Sequence, residues 1–245
     1  MGESMKKNNV FSNSIRFLDS YNRLDKALRD IYNIKPSLSY SDCIRRCAAV
    51  SSVIRKYEDD LIDYGRLRNA IVHRSTDIPI AEPHDDVVEK MESITRLVAT
   101  PPLAAACLSN RQIYFADAKE TLGKVVTEMF KTGYSCIPVY SQSTLVGVIN
   151  RKMIMDAIGG ALMNNVKVDS LFKQTVADSL NLMEISSHYE VVPDNITIDN
   201  LLYLFQQNKK LSVAILTKGG SYKEKPVGVV VTADTIDMQE ILDNY

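Results

Sequence analysis

The chain has 245 residues, 45% of them hydrophobic and 24% charged, with a formal net charge of −1. That length fits two domains or three, and the apolar share fills their cores without a metal or disulfide staple. The near-neutral total excludes a chain-wide basic coat for nucleic acid or membrane, and no apolar run approaches the ~20 residues of a membrane span. The opening MGESMKKNNV has two lysines with no apolar stretch behind them, so no secretory signal is read there. Cys43, Cys47, Cys107 and Cys136 form no CxxC pair and read as reduced thiols of a cytoplasmic protein. With three histidines and no tryptophan, no metal cage is expected.

The total hides a division. Residues 1–76 carry 14 Lys+Arg against 9 Asp+Glu, whereas residues 77–245 carry 15 against 21. Glycine runs the other way, with only Gly2 and Gly65 in the first part and eight beyond it. An arginine-rich, glycine-poor part followed by a Val/Ile/Gly-richer part predicts a helical domain joined to an α/β domain.

From Phe11, Ile15, Leu18, Tyr21, Leu24, Ala27, Leu28, Ile31 and Tyr32 recur at steps of three and four, one buried stripe that ends before Pro36. Ser39 stands three before Asp42, a capping box for a second helix carrying Ile44, Cys47, Ala48, Val50, Val53, Ile54 and Tyr57. A third helix spans Leu61 to His73, and a fourth starts at His84 or Asp85 and runs through Val98. Short connections between them predict an antiparallel four-helix bundle.

The period then changes. Ile113–Ala116 reads as a strand, Leu122–Lys131 as a helix ended by Gly133, Ser135–Tyr140 and Leu145–Ile149 as strands, and Arg151–Ala157 as a helix. Sliding the chain by 76 residues lays 117–140 on 193–216 without a gap: Thr121 on Thr197, Leu122 on Ile198, Val125 on Leu201, Met129 on Phe205, Ile137 on Val213. Five extra residues in the second hairpin follow before Gly228 matches Gly147. This is a tandem repeat of one small α/β unit. His188 falls in a connection between the copies and reads as a surface-loop residue.

At these residues, KETLGKVVTEMFKTGYSCIPVYSQSTLVGVINRKMI and NITIDNLLYLFQQNKKLSVAILTKGGSYKEKPVGVVVTADTI, the chain resembles the CBS domain, present twice over residues 96–245 as a Bateman module. The resemblance implies a first unit at 96–165 and a second at 166–245, paired through their sheets, with two clefts. Those clefts would take an adenosine-containing regulatory ligand: AMP, ATP, S-adenosylmethionine or a cyclic dinucleotide. The family's Gly-Val-Val-Thr-x-x-Asp turn joins a strand to a helix start, where free N–H groups favour phosphate. An Asp one turn on would hold the ribose. The first copy has Asn150 and Met153 at the Thr and Asp positions, with Arg151 and Lys152 to attract phosphate. The second has Val231 at the Thr position and Thr232 one later, and keeps Asp234. The implied ligand contacts are Asp234, Thr232, Gly228, Val213, Ile137 and Arg151. Asp234 also reads as a helix-capping residue.

The segment YGRLRNAIVHR holds Arg68-Asn69-Ala70-Ile71-Val72-His73 and resembles the Arg-x4-His motif of HEPN domains, over residues 10–98. That resemblance implies an N-terminal domain at 1–95, a homodimer, RNA as substrate and metal-independent endoribonuclease chemistry. His73 would move the proton, Arg68 would clamp the phosphate and Asn69 would orient either one. On one helix Arg68 and His73 lie about 140° apart, so a two-fold composite site is implied. Against this stands a structural reading, in which Arg68 pairs with Glu58, Asp59, Asp60 or Asp63 and the domain only dimerises. The fold class is therefore α plus α/β. The expected function is a cytoplasmic regulator whose repeat pair senses an adenine nucleotide and controls the helical domain. The alternative is a non-catalytic adaptor.

Overall fold

A computed structural model describes residues 13–72, 81–108, 112–182 and 188–245. The chain divides into two compact units, residues 1–102 with 242–245, and residues 103–241.

The first unit is helical. α1 spans Asn13–Ile31 and buries Phe17, Tyr21, Leu24 and Leu28, a stripe at steps of four, three and four. The expected stripe includes Ile15 and Ile31, yet both are 55% exposed. Ile15 lies two residues and so about 200° round the helix from Phe17, which takes the core position instead. α2 spans Tyr40–Ala48 with the expected box at its start: the Ser39 hydroxyl accepts from Asp42 N–H at 3.2 Å and donates to the Asp42 carboxylate at 2.7 Å. The second helix does not run on to Tyr57. It breaks, and α3 restarts at Ser52–Lys56, because the buried Ser51 hydroxyl accepts from Ile54 N–H and caps a new turn. α4 spans Glu58–Val72 and α5 spans Asp85–Ala99.

The described residues of this unit thus form five helical segments, not four, and they are not all antiparallel. Asn13 donates to Asp85, Arg16 grips Glu92 through two bonds of 3.0 and 2.9 Å, and Thr95 donates to Ser20 O. Partners ascend together along both helices, so α1 and α5 run parallel. Three helices separate them in sequence, which gives the chain room to return to the same end. Tyr64 of α4 packs edge-on to Phe17 at 5.7 Å.

The second unit shows the repeat. β1 (Ala116–Asp117), α6 (Leu122–Thr132), β2 (Cys136–Ser141), β3 (Thr144–Asn150) and α7 (Arg151–Met163) form the first copy. β4 (Tyr189–Pro193), α10 (Ile198–Gln207), β5 (Val213–Thr217), β6 (Pro226–Val231) and α11 (Asp234–Asn244) form the second. Each copy makes a three-stranded sheet, with its first strand parallel to its second and its second antiparallel to its third. The residues aligned by the 76-residue slide do the same work. Thr121 and Thr197 each cap their helix by accepting from the N–H three residues on, and Leu122 and Ile198 are both fully buried behind them. The sheets meet through Cys136, Tyr140, Leu145 and Val148 of one copy and Val213 and Ile215 of the other.

The segments leading into each copy are exchanged. A 3-10 turn, Ala104–Leu108, precedes the first copy but docks on the second: Ala104 N–H donates to Ile196 O, and Leu103 bridges Thr197. α8 (Val168–Lys173) and α9 (Val176–Leu182) precede the second copy but dock on the first. There Leu122 N–H donates to Gln174 O at 3.0 Å and Val176 N–H donates to Glu120 O at 2.8 Å. The paired glycines have their reason here. A Cβ on Gly147 would meet Leu180 of α9 at 2.8 Å, and one on Gly228 would meet Leu108 at 2.6 Å. Each mid-strand glycine is the seat for a leucine of the exchanged segment.

Candidate functional site

Two clefts open in the two-repeat unit. The larger has a volume of about 1190 Å³. The turn from β3 into α7, Asn150–Met153, lines it. Lys210, Ser212 and Val213 at the entry to β5, Val231–Ala233 at the end of β6, His188 and Gln174 also line it. Asparagine at 150 does what its side chain favours: its amide oxygen accepts from Met153 N–H at 2.9 Å and starts α7. Arg151 follows as the first helical residue, exposed, with its guanidinium donating to Gly133 O at 2.7 Å. Lys152 holds Asp156 at 2.5 Å. A helix N-terminus with Arg151, Lys152 and Lys210 about one cavity can hold an anion.

The smaller cleft has a volume of about 330 Å³. Gly133–Cys136, Leu108, Gly228 and Asp234 line it. Asp234 is 8% exposed and one of its carboxylate oxygens accepts from Val231 N–H at 2.8 Å. Positions 150/153 and 231/234 correspond in the two copies, and the bond runs in opposite directions across them. In the first copy the strand-end side chain caps the helix; in the second the helix side chain reaches back.

The sequence-predicted ligand residues therefore separate. Arg151, Val213 and Thr232 line the larger cleft, while Gly228 and Asp234 line the smaller. Ile137 is fully buried in the core of the first copy, among residues such as Val125 and Met129. Residues not named as ligand contacts from sequence also contribute. Ser135, Cys136 and Val231 face both clefts. Burial pushes the Cys136 thiol up to about 12, so it stays protonated at neutral pH. His188 is not on the surface: it is 6% exposed, and its Nε2 lies 3.2 Å from Val148 O across the two copies. The 76-residue slide lays Tyr134 on Lys210 and Cys136 on Ser212, which marks both strand entries as equivalent cleft positions.

In the helical unit, His73 lies outside the described residues, as does the rest of 73–80. Arg68 does not pair with the four carboxylates weighed for it; Asp60 pairs with Lys90 and Asp63 with Arg66. Its guanidinium instead lies over the Tyr21 ring at 5.8 Å and donates to Asn69 at 3.3 Å, with Nε buried and without a hydrogen-bond partner. Burial, then the Asp25 carboxylate, pushes the Tyr21 hydroxyl up to about 12, while Arg68 opposes the shift. Tyr21 also stacks on Tyr40 at 4.5 Å, and burial pushes the Tyr40 hydroxyl up as well.

Two tandem α/β copies, joined sheet to sheet and with two clefts, define a paired-repeat module. Residues 105–160 match the family model of the CBS domain, so the chain carries a CBS domain in this stretch. Solved structures are similar at low identity. A CBS-domain-containing protein of Agrobacterium tumefaciens is 12% identical over 56% of this chain and 92% of that one, with a TM-score of 0.43. The CBS domain of a membrane protein from Sphaerobacter thermophilus is 16% identical over 56% and 87%, at 0.42. The CBS domain of a bacterial CNNM/CorC family Mg2+ transporter, solved in complex with ATP, is 23% identical over 61% and 94%, at 0.43. No curated protein matches the chain. Among the described residues no helix is long and apolar enough to cross a membrane, and no cluster of three or more His, Cys, Asp or Glu side chains is placed to hold a metal.

Proposed function

We propose that the chain is a regulatory protein whose repeat pair senses an adenine nucleotide, AMP, ATP or a cyclic dinucleotide, in the larger cleft. One observation carries this reading: the cleft sets Arg151, Lys152 and Lys210 about the N-terminus of α7, beside apolar and hydroxyl-bearing walls. Phosphate suits the first set and an adenosine the second. The ribose contact expected of Asp234 belongs to the smaller cleft, so in the larger one the hydroxyls of Ser212 and Thr232 take its place. Binding favours one arrangement of the paired copies, and through it the state of a helical domain that acts as a homodimer. Thermal unfolding with millimolar ATP, AMP and cyclic di-adenylate tests this. A rise in Tm with one of them is expected, and no rise with any of them refutes it.

The helical unit fits an adaptor of HEPN-like descent better than a nuclease. Arg68 is committed to Tyr21 and Asn69, so it offers a phosphate less than its full fork of donors. Total RNA incubated with the protein, with and without ATP, is expected to stay intact. Cleavage that disappears in both Arg68→Ala and His73→Ala would establish the RNase reading instead.

A further inference from the structure

We infer that Arg151 couples the two clefts, an inference that rests on the nucleotide reading of the larger one. Arg151 lines the larger cleft, and the carbonyl it bonds belongs to Gly133 in the wall of the smaller. Gly133 is the left-handed C-cap of α6, with φ of 75°. Its carbonyl stands at the helix end where unpaired oxygens gather negative charge, and a guanidinium there stabilises that end. The same arginine is the first residue of α7, where the helix N-terminus disfavours a cation and favours an arriving anion.

Arg151 is thus shared between two places. Lys152 has a carboxylate partner in Asp156, whereas the Arg151 guanidinium holds a neutral carbonyl. A phosphate at the α7 N-terminus outcompetes a neutral carbonyl for a guanidinium, because a charge-assisted bond is about twice as strong. Drawing Arg151 to the ligand releases Gly133 O and loosens the last turn of α6, which carries the wall of the smaller cleft. Ser135, Cys136 and Val231 face both clefts and pass on the same change. By linkage, an occupant of the smaller cleft that holds Gly133 in its ligand-bound position tightens nucleotide binding by the same factor.

Amide hydrogen exchange of residues 130–135, with residues 200–205 inside α10, which line neither cleft, as internal reference, reads this directly. With ATP as the probe, exchange at 130–135 is expected to rise about fivefold, as expected for one lost hydrogen bond. Arg151→Ala without ATP is expected to show the same rise. A rise in Tm with ATP but unchanged exchange at 130–135, or unliganded Arg151→Ala that exchanges like the parent protein, overturns the coupling and leaves the nucleotide reading intact. No rise in Tm with ATP, AMP or cyclic di-adenylate refutes the nucleotide reading, and the coupling with it.

Discussion

Gly147→Ala is expected to lower the stability of the two-repeat unit by about 1–3 kcal/mol, the usual cost of one extra carbon in a close-packed site. The new Cβ would stand 2.8, 3.1 and 3.5 Å from three atoms of Leu180, a residue 3% exposed, so no single rotation clears all of them. Gly228→Ala should cost less, because its one severe contact is the tip of Leu108, at 2.6 Å. The same exchange at Gly159 should have the opposite sign. Nothing lies within 4 Å of a Cβ there, and a glycine inside α7 costs about 0.5–1 kcal/mol relative to alanine. Urea unfolding of the three variants gives the ordering. Equal effects at 147 and 159 would mean that the leucine seat has no energetic weight. Leu180→Ala combined with Gly147→Ala should cost less than the sum of the two alone, because the new methyl fills part of the space the leucine leaves.

The second large effect is on ligand binding. Arg151→Glu with Lys210→Glu should abolish nucleotide-induced stabilisation. At a ligand concentration 100 times Kd a bound ligand adds about 2.7 kcal/mol, and that gain should vanish, because two reversals put carboxylates where phosphate would sit. Asp234→Asn should leave it nearly unchanged, since Asp234 lines the other cleft. Titration calorimetry against the nucleotide that raises Tm decides the matter. If Asp234→Asn abolishes binding and the double reversal does not, the ligand sits in the smaller cleft.

Much of this was legible in the sequence, and the misses have physical causes. The repeat was visible because its apolar positions and its two helix-capping threonines fall at one spacing. Phe17 was missed because α1 carries two overlapping apolar registers, and only packing against α4 and α5 chooses between them. The break at Ser51 carries no glycine or proline; a single buried hydroxyl makes it. The parallel setting of α1 and α5 is a long-range fact that short connections do not predict. Thr232 and Asp234 stand two residues apart and read as one site, yet a strand end turns into a helix between them and sends them to different clefts. His188 reads as a loop residue because polarity, not its bond toward Val148, is what a sequence displays.

The exchanged leading segments also set an order in time. Everything the first copy needs, including α8 and α9, has been synthesised by residue 182. The turn at Ala104–Leu108 must wait for β6, roughly 120 residues later, and at about 5–20 residues per second that is a delay of roughly ten seconds. During it the first copy can close around its own leucine, Leu180, while Leu108 stays exposed on the nascent chain. Vectorial synthesis thereby keeps Leu180 from the wrong seat: α9 can take the Gly147 seat before the Gly228 seat exists.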